Sequence, residues 1–147
     1  SKSCVRVARL FGFDPKVAFL SHSTFGKPIS KNTKHVRDAI EMLKKEKVGF
    51  DFDGEMQPDV ALNPIYQEIY PFSKIVGNAN ILIMPALHSA AISTKLMKVF
   101  GGGKLIGPLL IGLGLPIEVA PLRASTSEIL NLASIAAFSS DVIDYSN

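Results

Sequence analysis

The segment NANILIMPALHSAAISTKLMKVFGGG, residues 78–103, decides the fold of this chain. Its residues 81–84 form an unbroken apolar run that ends at a proline, and such a run predicts a short strand buried on both faces. Apolar residues then recur at helical spacing and predict an amphipathic helix that ends at three glycines. These residues are Ile92, Leu96 and Val99. A strand, a polar corner and a helix make half of a parallel βαβ unit.

Outward from this segment, strands and helices alternate along the whole chain. Before the central strand 81–84 and its helix, the predicted elements are helix 3–11, strand 17–20, a helix with the stripe Val36, Ala39, Ile40 and Leu43, a half-buried edge strand 48–52, and helix 61–70, which is interrupted at Pro64. After that helix come one or two strands in 106–112 and 116–120, and helix 126–138. Ser30 or Asn32 is predicted to cap the second helix, and Ser125 or Thr126 the last one. Alternation of this kind predicts an α/β fold with three layers, α/β/α, around a mainly parallel sheet.

Composition narrows the class of protein. The 147 residues suit one compact domain, and a chain with 47% hydrophobic and 20% charged residues is typical of a globular protein. Its apolar runs are too short for a membrane span. One cysteine, Cys4, favours a reducing cytoplasm. The net charge of +3 comes from lysines spread along the chain, so nucleic acid is not a predicted partner.

Three polar corners follow the predicted strands, at residues 21–26, 53–59 and 85–89. If the strands are parallel, all three corners lie along one rim of the sheet, where ligands bind in open α/β folds. Hydroxyl and backbone N–H groups at such a rim suit a phosphate. The alternative is that these residues only form turns.

Some side chains in the corners could carry acid–base chemistry. Asp53, Glu55 and Asp59 could hold a metal or form an acid–base pair, or they could be a solvated acidic turn. His22 and His88 each lie at a strand end, where either could be an acid–base group or an ordinary surface residue. No metal ligand set is predicted.

Several segments together resemble a known family. They are KVAFLSHSTFG at 16–26, DGEMQPDVALN at 53–63, GNANILIMP at 77–85 and IGPLLIG at 106–112. These segments are similar to the phosphate acetyltransferase fold. HSAAISTK at 88–95 and SEILNLASIAA at 127–137 resemble in particular the C-terminal phosphotransacetylase-like region of large bacterial NADP-dependent malic enzymes. The resemblance implies that residues 1–147 are the second phosphotransacetylase-like subdomain, a fragment of a larger multidomain enzyme.

The resemblance also implies where catalytic groups would lie. The family carries Ser-Arg-Gly before the last helix, with an arginine that holds phosphate or CoA oxygens, and an aspartate base in the first turn of that helix. In this chain Leu122 falls on the arginine position, Arg123 on the glycine position and Glu128 on the aspartate position. A guanidinium displaced by one residue would miss its bidentate geometry. We therefore expect no catalytic residue in this chain.

The function implied by the resemblance is regulation and oligomerisation of a malic enzyme. Acetyl-CoA is expected to bind as an allosteric inhibitor near Ser21, Ser23, Arg123, Glu128 and His88. The parent would convert malate to pyruvate and CO2. Its malic and NAD-binding domains would hold the NADP and the Mg or Mn, and this fragment would hold no cofactor. We expect a homo-oligomer, at least a dimer, in the cytoplasm, with no membrane partner.

Two other functions stay open from the sequence. The chain could belong to an active phosphate acetyltransferase, which would convert acetyl-CoA and phosphate to acetyl phosphate and CoA, with Glu128 and Arg123 as its catalytic residues. It could also be a structural module whose corners bind nothing.

Overall fold

A computed structural model describes residues 1–113 and 115–142. In chain order the elements are α1 (Lys2–Leu10), β1 (Lys16–Leu20), a 3-10 helix (Lys31–Thr33), α2 (Lys34–Lys45), β2 (Asp51–Met56), α3 (Pro58–Leu62), a second 3-10 helix (Pro64–Glu68), β3 (Ile81–Ile83), α4 (Leu87–Phe100) and α5 (Thr126–Val142). The chain divides into two compact units, with the division between Thr94 and Lys95. Within the described ranges, none of the helices is both long and apolar enough to cross a bilayer.

The first unit contains a parallel sheet in the order β2-β1-β3. The predicted parallel α/β architecture is therefore confirmed. The position of residues 81–84 is corrected, because β3 lies at an edge of the described sheet and β1 lies at its centre. Val17 and Ala18 of β1 have no exposed surface, whereas Leu82 is only partly buried. Both strands are short apolar runs, and their composition could not decide which of them has neighbours on both sides.

Alternate side chains of β1 enter two apolar cores, one on each face of the sheet. Val17 and Phe19 face α1 and α2, and Ala18 and Leu20 face α3. The first core consists of Val5, Val17, Phe19, Val36, Ile40, Leu43, Phe52 and Ile81. The second consists of Ala18, Leu20, Met56, Ala61, Ile75 and Ala79. Helices on both faces confirm the three-layer prediction for this unit.

Helix α1 begins and ends one residue before its predicted bounds, 3 and 11. Ser30 accepts the N–H of Asn32 (3.1 Å) and caps the 3-10 helix that leads into α2, as predicted. Three stripe residues of α2 are buried, but Ala39 is exposed. Pro64 does interrupt the helical segment after β2. The buried residue of α1 is Val5.

The second strand lies later in the chain than its apolar alternation predicts. The prediction ended a strand at Phe52 and began an acidic corner at Asp53, but β2 runs through Asp53 to Met56. Polar residues are tolerated there because tertiary contacts satisfy their side chains. Asp53 accepts the backbone N–H groups of Gly54 (2.9 Å) and Lys74 (2.8 Å).

In the second unit, residues 101–113 and 115–125 form no helix or strand. The strands predicted in 106–112 and 116–120 are therefore wrong. Gly and Pro interrupt these segments, and large side chains such as Leu110 and Ile117 remain over 40% exposed, so no burial drives strand pairing. The last helix is confirmed, and its Leu132 is buried. The helix α4 is also confirmed, but its stripe is exposed, with Ile92 at 60%.

A prediction concerns Gly54 of β2, which pairs with Phe19 of β1. A Cβ at this position would lie 2.6 Å from the carbonyl oxygen of Phe19, and the backbone φ is +142°. We expect Gly54→Ala to lower the free energy of unfolding by about 1–3 kcal/mol, the usual cost of overpacking. Gly49 is the matched control, since a Cβ there meets nothing within 4 Å. Urea denaturation should show Gly49→Ala within about 0.5 kcal/mol of the unsubstituted chain; equal losses in both variants would contradict the steric explanation.

Candidate functional site

The loop from Ser21 to Gly26, here called the β1 corner, leaves the carboxyl end of the central strand. Thr24 and Lys27 exchange backbone hydrogen bonds of 2.9 and 3.0 Å across its tip. Phe25 and Gly26, the two residues between them, have positive φ values of 47° and 84°. This is the backbone of a tight turn that glycine favours and that phenylalanine rarely adopts.

Contacts with other parts of the first unit hold Phe25 in this conformation. Its ring lies 5.3 Å from the ring of Tyr70 and 4.8 Å from that of Phe72, measured between centroids. Its backbone N–H donates to the carbonyl oxygen of Glu55 at 2.7 Å. Aromatic pairs and a backbone hydrogen bond each contribute about 1 kcal/mol, which is the order of the cost of one unfavourable backbone conformation.

The carboxylate of Glu55 is buried beneath the β1 corner, with 1% of the residue exposed. Its Oε1 atom accepts the hydroxyl of Ser23 at 2.8 Å, the backbone N–H of Gly26 at 3.2 Å and Nη1 of Arg37 at 3.0 Å. A buried charge is tolerated only when it is paired and hydrogen-bonded, and this carboxylate meets both conditions. The acidic stretch was predicted to be a metal site, an acid–base pair or a solvated turn, but Glu55 is an internal anchor for the neighbouring loop.

Arg37 of α2 was not singled out from the sequence. Its guanidinium donates to both carboxylate oxygens of Glu55, to the hydroxyl oxygen of Thr33 and to the carbonyl oxygen of Ser30 (3.3 Å). The partner carboxylate is 18 residues away in sequence, so helical periodicity gives no signal for this pair. A basic residue next to the apolar stripe of α2 is the only local cue.

The structure places the two corner serines differently. Ser23 has no exposed surface and its hydroxyl is committed to Glu55, whereas 8% of Ser21 is exposed. Their Oγ atoms are 3.5 Å apart. The segment after β2 closes the corner from the other side, because the side-chain amide of Gln57 donates to the carbonyl oxygen of His22 at 2.7 Å. His22 itself is exposed.

The other predicted residues of the first unit lie on its surface. His88 is exposed in the first turn of α4, so the polar corner predicted at 85–89 is shorter and passes directly into a helix. Asp59 is exposed in α3. Across residues 1–113 and 115–142, no three His, Cys, Asp or Glu side chains are arranged to hold a metal ion.

In the second unit, Arg123 and Glu128 flank the start of α5. Arg123 is exposed in a turn that the N–H of Ala124 closes on the carbonyl oxygen of Pro121 at 2.9 Å. Ser125 and Glu128 form a reciprocal capping box: the Glu128 N–H donates to Ser125 Oγ (3.2 Å), and the Ser125 N–H donates to Glu128 Oε2 (2.8 Å). The cap predicted at Ser125 is confirmed.

The first unit combines a parallel sheet, a polar corner at the end of its central strand and a buried carboxylate under that corner. This chain is similar to two solved phosphotransacetylases. The EutD phosphotransacetylase from Staphylococcus aureus matches with a TM-score of 0.84 and 33% identity, over 93% of this chain and 43% of that one. A phosphotransacetylase from Streptococcus pyogenes matches with a TM-score of 0.86 and 34% identity, over 93% and 42%.

The sequence gives the same assignment. Residues 1–137 match the family described as phosphate acetyl/butaryl transferase, and the chain belongs to this family. An NADP-dependent malic enzyme from Rhizobium meliloti is 47% identical over 132 residues, which are 90% of this chain and 17% of that protein. A phosphate acetyltransferase from Bacillus subtilis is 34% identical over 131 residues, 88% of this chain and 41% of that protein. The family resemblance and its fold are confirmed, and the chain spans less than half of each of these relatives.

A pH-dependent prediction follows from the capping box. The backbone N–H and the hydroxyl of Ser125, and then the hydrogen bond and charge of Lys98, lower the pKa of Glu128 below its ordinary value. A carboxyl group with a lowered folded-state pKa stabilises the fold above its unfolded-state pKa, and this contribution is lost as the pH falls through the folded-state value. We expect Ser125→Ala to raise the pKa of Glu128 toward its ordinary value. The rise should be partial, because alanine removes the hydroxyl but keeps the backbone N–H, and NMR titration of the Glu128 carboxyl carbon measures it.

The matched control is Ser127→Ala, which removes a neighbouring exposed hydroxyl of the same helix. Its Glu128 pKa should equal that of the unsubstituted chain. If both serine variants shift the pKa equally, the capping box is not its cause.

Proposed function

We propose that this chain is the regulatory and oligomerisation domain of an NADP-dependent malic enzyme and that it binds acetyl-CoA as an allosteric inhibitor. The observation that carries this proposal is the 47% identity to a malic enzyme, compared with 34% to a phosphate acetyltransferase of nearly equal matched length. The parent would convert malate to pyruvate and CO2. NADP and Mg or Mn would be held by its malic and NAD-binding domains.

The chemistry of the β1 corner supports a phosphate-bearing effector. Acetyl-CoA carries a diphosphate and a 3′-phosphate, and a hydroxyl group at the carboxyl end of a parallel strand, such as that of Ser21, can donate to such anions. We propose contacts from Ser21, His88, Arg123 and Glu128, and a supporting role for Ser23. Since Ser23 is fully buried, its part would be to shape the corner rather than to touch the ligand.

The turn before α5 supports a role without catalysis. Leu122 occupies the position at which the resemblance places the arginine of active transferases, and this leucine is fully exposed. An apolar side chain cannot hold phosphate oxygens. A carboxylate is retained at Glu128, but Ser125 and Lys98 already engage it.

Inhibition by acetyl-CoA requires that the effector binds two states of the assembly with different affinities. A tenfold difference corresponds to about 1.4 kcal/mol for each bound effector. We propose a cytoplasmic homo-oligomer, at least a dimer, whose less active state is the one that acetyl-CoA favours.

The test uses the full-length protein that contains this chain. We expect acetyl-CoA to bind in calorimetry and to inhibit malate oxidation. We expect Arg123→Gln to weaken binding at least about tenfold, because hydrogen bonds to charged groups contribute about 1.5–3 kcal/mol. Arg6→Gln is the matched control, since Arg6 is an exposed arginine of α1 outside the proposed contacts. Malate oxidation that acetyl-CoA does not affect would rule out the proposal.

A second function, active phosphate acetyl transfer, is favoured by the carboxylate that this chain retains at Glu128 and by its similarity to transferases. It predicts that the full-length protein forms acetyl phosphate from acetyl-CoA and phosphate. It also predicts that Glu128→Gln abolishes this activity, because the amide cannot accept the thiol proton. Our leading proposal predicts that neither the unsubstituted full-length protein nor its Glu128→Gln variant forms acetyl phosphate in a coupled colorimetric assay.

A further inference from the structure

Contacts from outside the β1 corner determine its shape. Inside the corner, the hydrogen bonds between Ser21 and Ser23 are long, at 3.4 and 3.5 Å. Glu55 makes three contacts from outside the corner: it accepts from Ser23 (2.8 Å) and Gly26 (3.2 Å) through its carboxylate and from Phe25 (2.7 Å) through its carbonyl oxygen. One residue of β2 therefore sets three positions of the corner, including the two adjacent residues with positive φ.

Arg37 makes this arrangement stable by neutralising the buried carboxylate. The side chain of Glu55 is 0% exposed and that of Arg37 is 39% exposed, so water reaches the guanidinium of the pair but not its carboxylate. Thr33 and Ser30 hold the guanidinium from the other side. Removing one partner of a buried pair leaves an uncompensated charge, which is strongly destabilising.

We propose that Arg37 and Glu55 are positioning residues: they hold the β1 corner in the shape that presents the hydroxyl group of Ser21 to the phosphates of the effector. This inference rests on the proposed function. Neither residue is proposed to touch the effector. Glu55 is buried and its Oε1 atom already accepts three donors, and the guanidinium of Arg37 already donates to Glu55, Thr33 and Ser30.

The experiment measures acetyl-CoA binding to the full-length protein by calorimetry, with Glu55→Gln as the principal variant. The amide keeps the shape of the side chain but weakens each charge-assisted hydrogen bond, so we expect the Kd to rise about tenfold. Arg37→Lys keeps the charge and loses the forked geometry, and it should raise the Kd by a smaller factor. Asp38→Asn is the matched control, since it removes an exposed carboxylate paired with Lys34 on the same helix.

The outcomes separate this inference from the proposed function. A larger rise in the Kd for acetyl-CoA than in the KM for malate, in a variant with native circular dichroism, supports positioning. An unchanged Kd in folded Glu55→Gln overturns the inference alone, as does an equal rise in Asp38→Asn. Equal losses in acetyl-CoA and malate affinity also overturn it, because they indicate general destabilisation. If the unsubstituted protein does not bind acetyl-CoA, the proposed function falls and the inference falls with it.

If Glu55→Gln does not fold, Arg37→Lys decides the question, because it keeps the buried charge paired. An unchanged Kd in Arg37→Lys then overturns the inference, and a raised Kd with unchanged malate KM supports it.

Discussion

The carboxylate of Glu55 is the group on which the first unit of this protein depends. A single oxygen accepts a hydroxyl, a backbone N–H and a guanidinium, which belong to the β1 corner and to α2. Strand β2, on which Glu55 lies, pairs with the central strand β1. The same carboxylate thus connects the sheet, one covering helix and the loop that bears the candidate site. Within the described ranges, every buried side-chain nitrogen and oxygen has a hydrogen-bond partner, so this polar centre is compatible with the apolar cores around it.

The arrangement explains why an acidic residue lies inside a strand. An unpaired carboxylate at this depth would cost several kcal/mol, and an apolar residue of the same size would leave Ser23 and Gly26 without an acceptor. The close approach of Gly54 to Phe19 lets the strand carry Glu55 into position. Each residue of Asp53-Gly54-Glu55 therefore has its own structural role. The carboxylate of Asp53 accepts backbone N–H groups, Gly54 allows the close contact with Phe19, and the buried carboxylate of Glu55 anchors the β1 corner.

Local patterns predicted those parts of the fold whose stability is local. The apolar run of β1 and the N-cap at Ser125 each lie within a few residues, and both are confirmed, as are three of the four stripe residues of α2. The bounds of β2 were wrong because Asp, Gly and Glu are typical of turns, and only distant partners make them compatible with a strand. The apolar segments 106–112 and 116–120 were interpreted as strands because composition says nothing about whether a neighbouring strand exists.

The candidate site was predictable to a similar degree. The polar corner at 21–26 follows from its place after an apolar strand, and Ser23 and Glu55 were both named from the sequence. Their mutual hydrogen bond was not predicted, because 32 residues separate them. Arg37 was missed for the same reason. The family resemblance, in contrast, depends on several segments in a fixed order, and it is confirmed over nearly the whole chain.

The long sequence separations in this network have a kinetic consequence. The hydrogen bonds that Glu55 accepts from Ser23 and Gly26 join residues 32 and 29 positions apart, and they connect the loop after β1 to β2. Closing such loops costs entropy that only the completed sheet repays. Ordering of the corner is therefore coupled to the pairing of β1 with β2. When the sheet opens the corner loses these contacts, so its conformation reports whether the surrounding unit is intact.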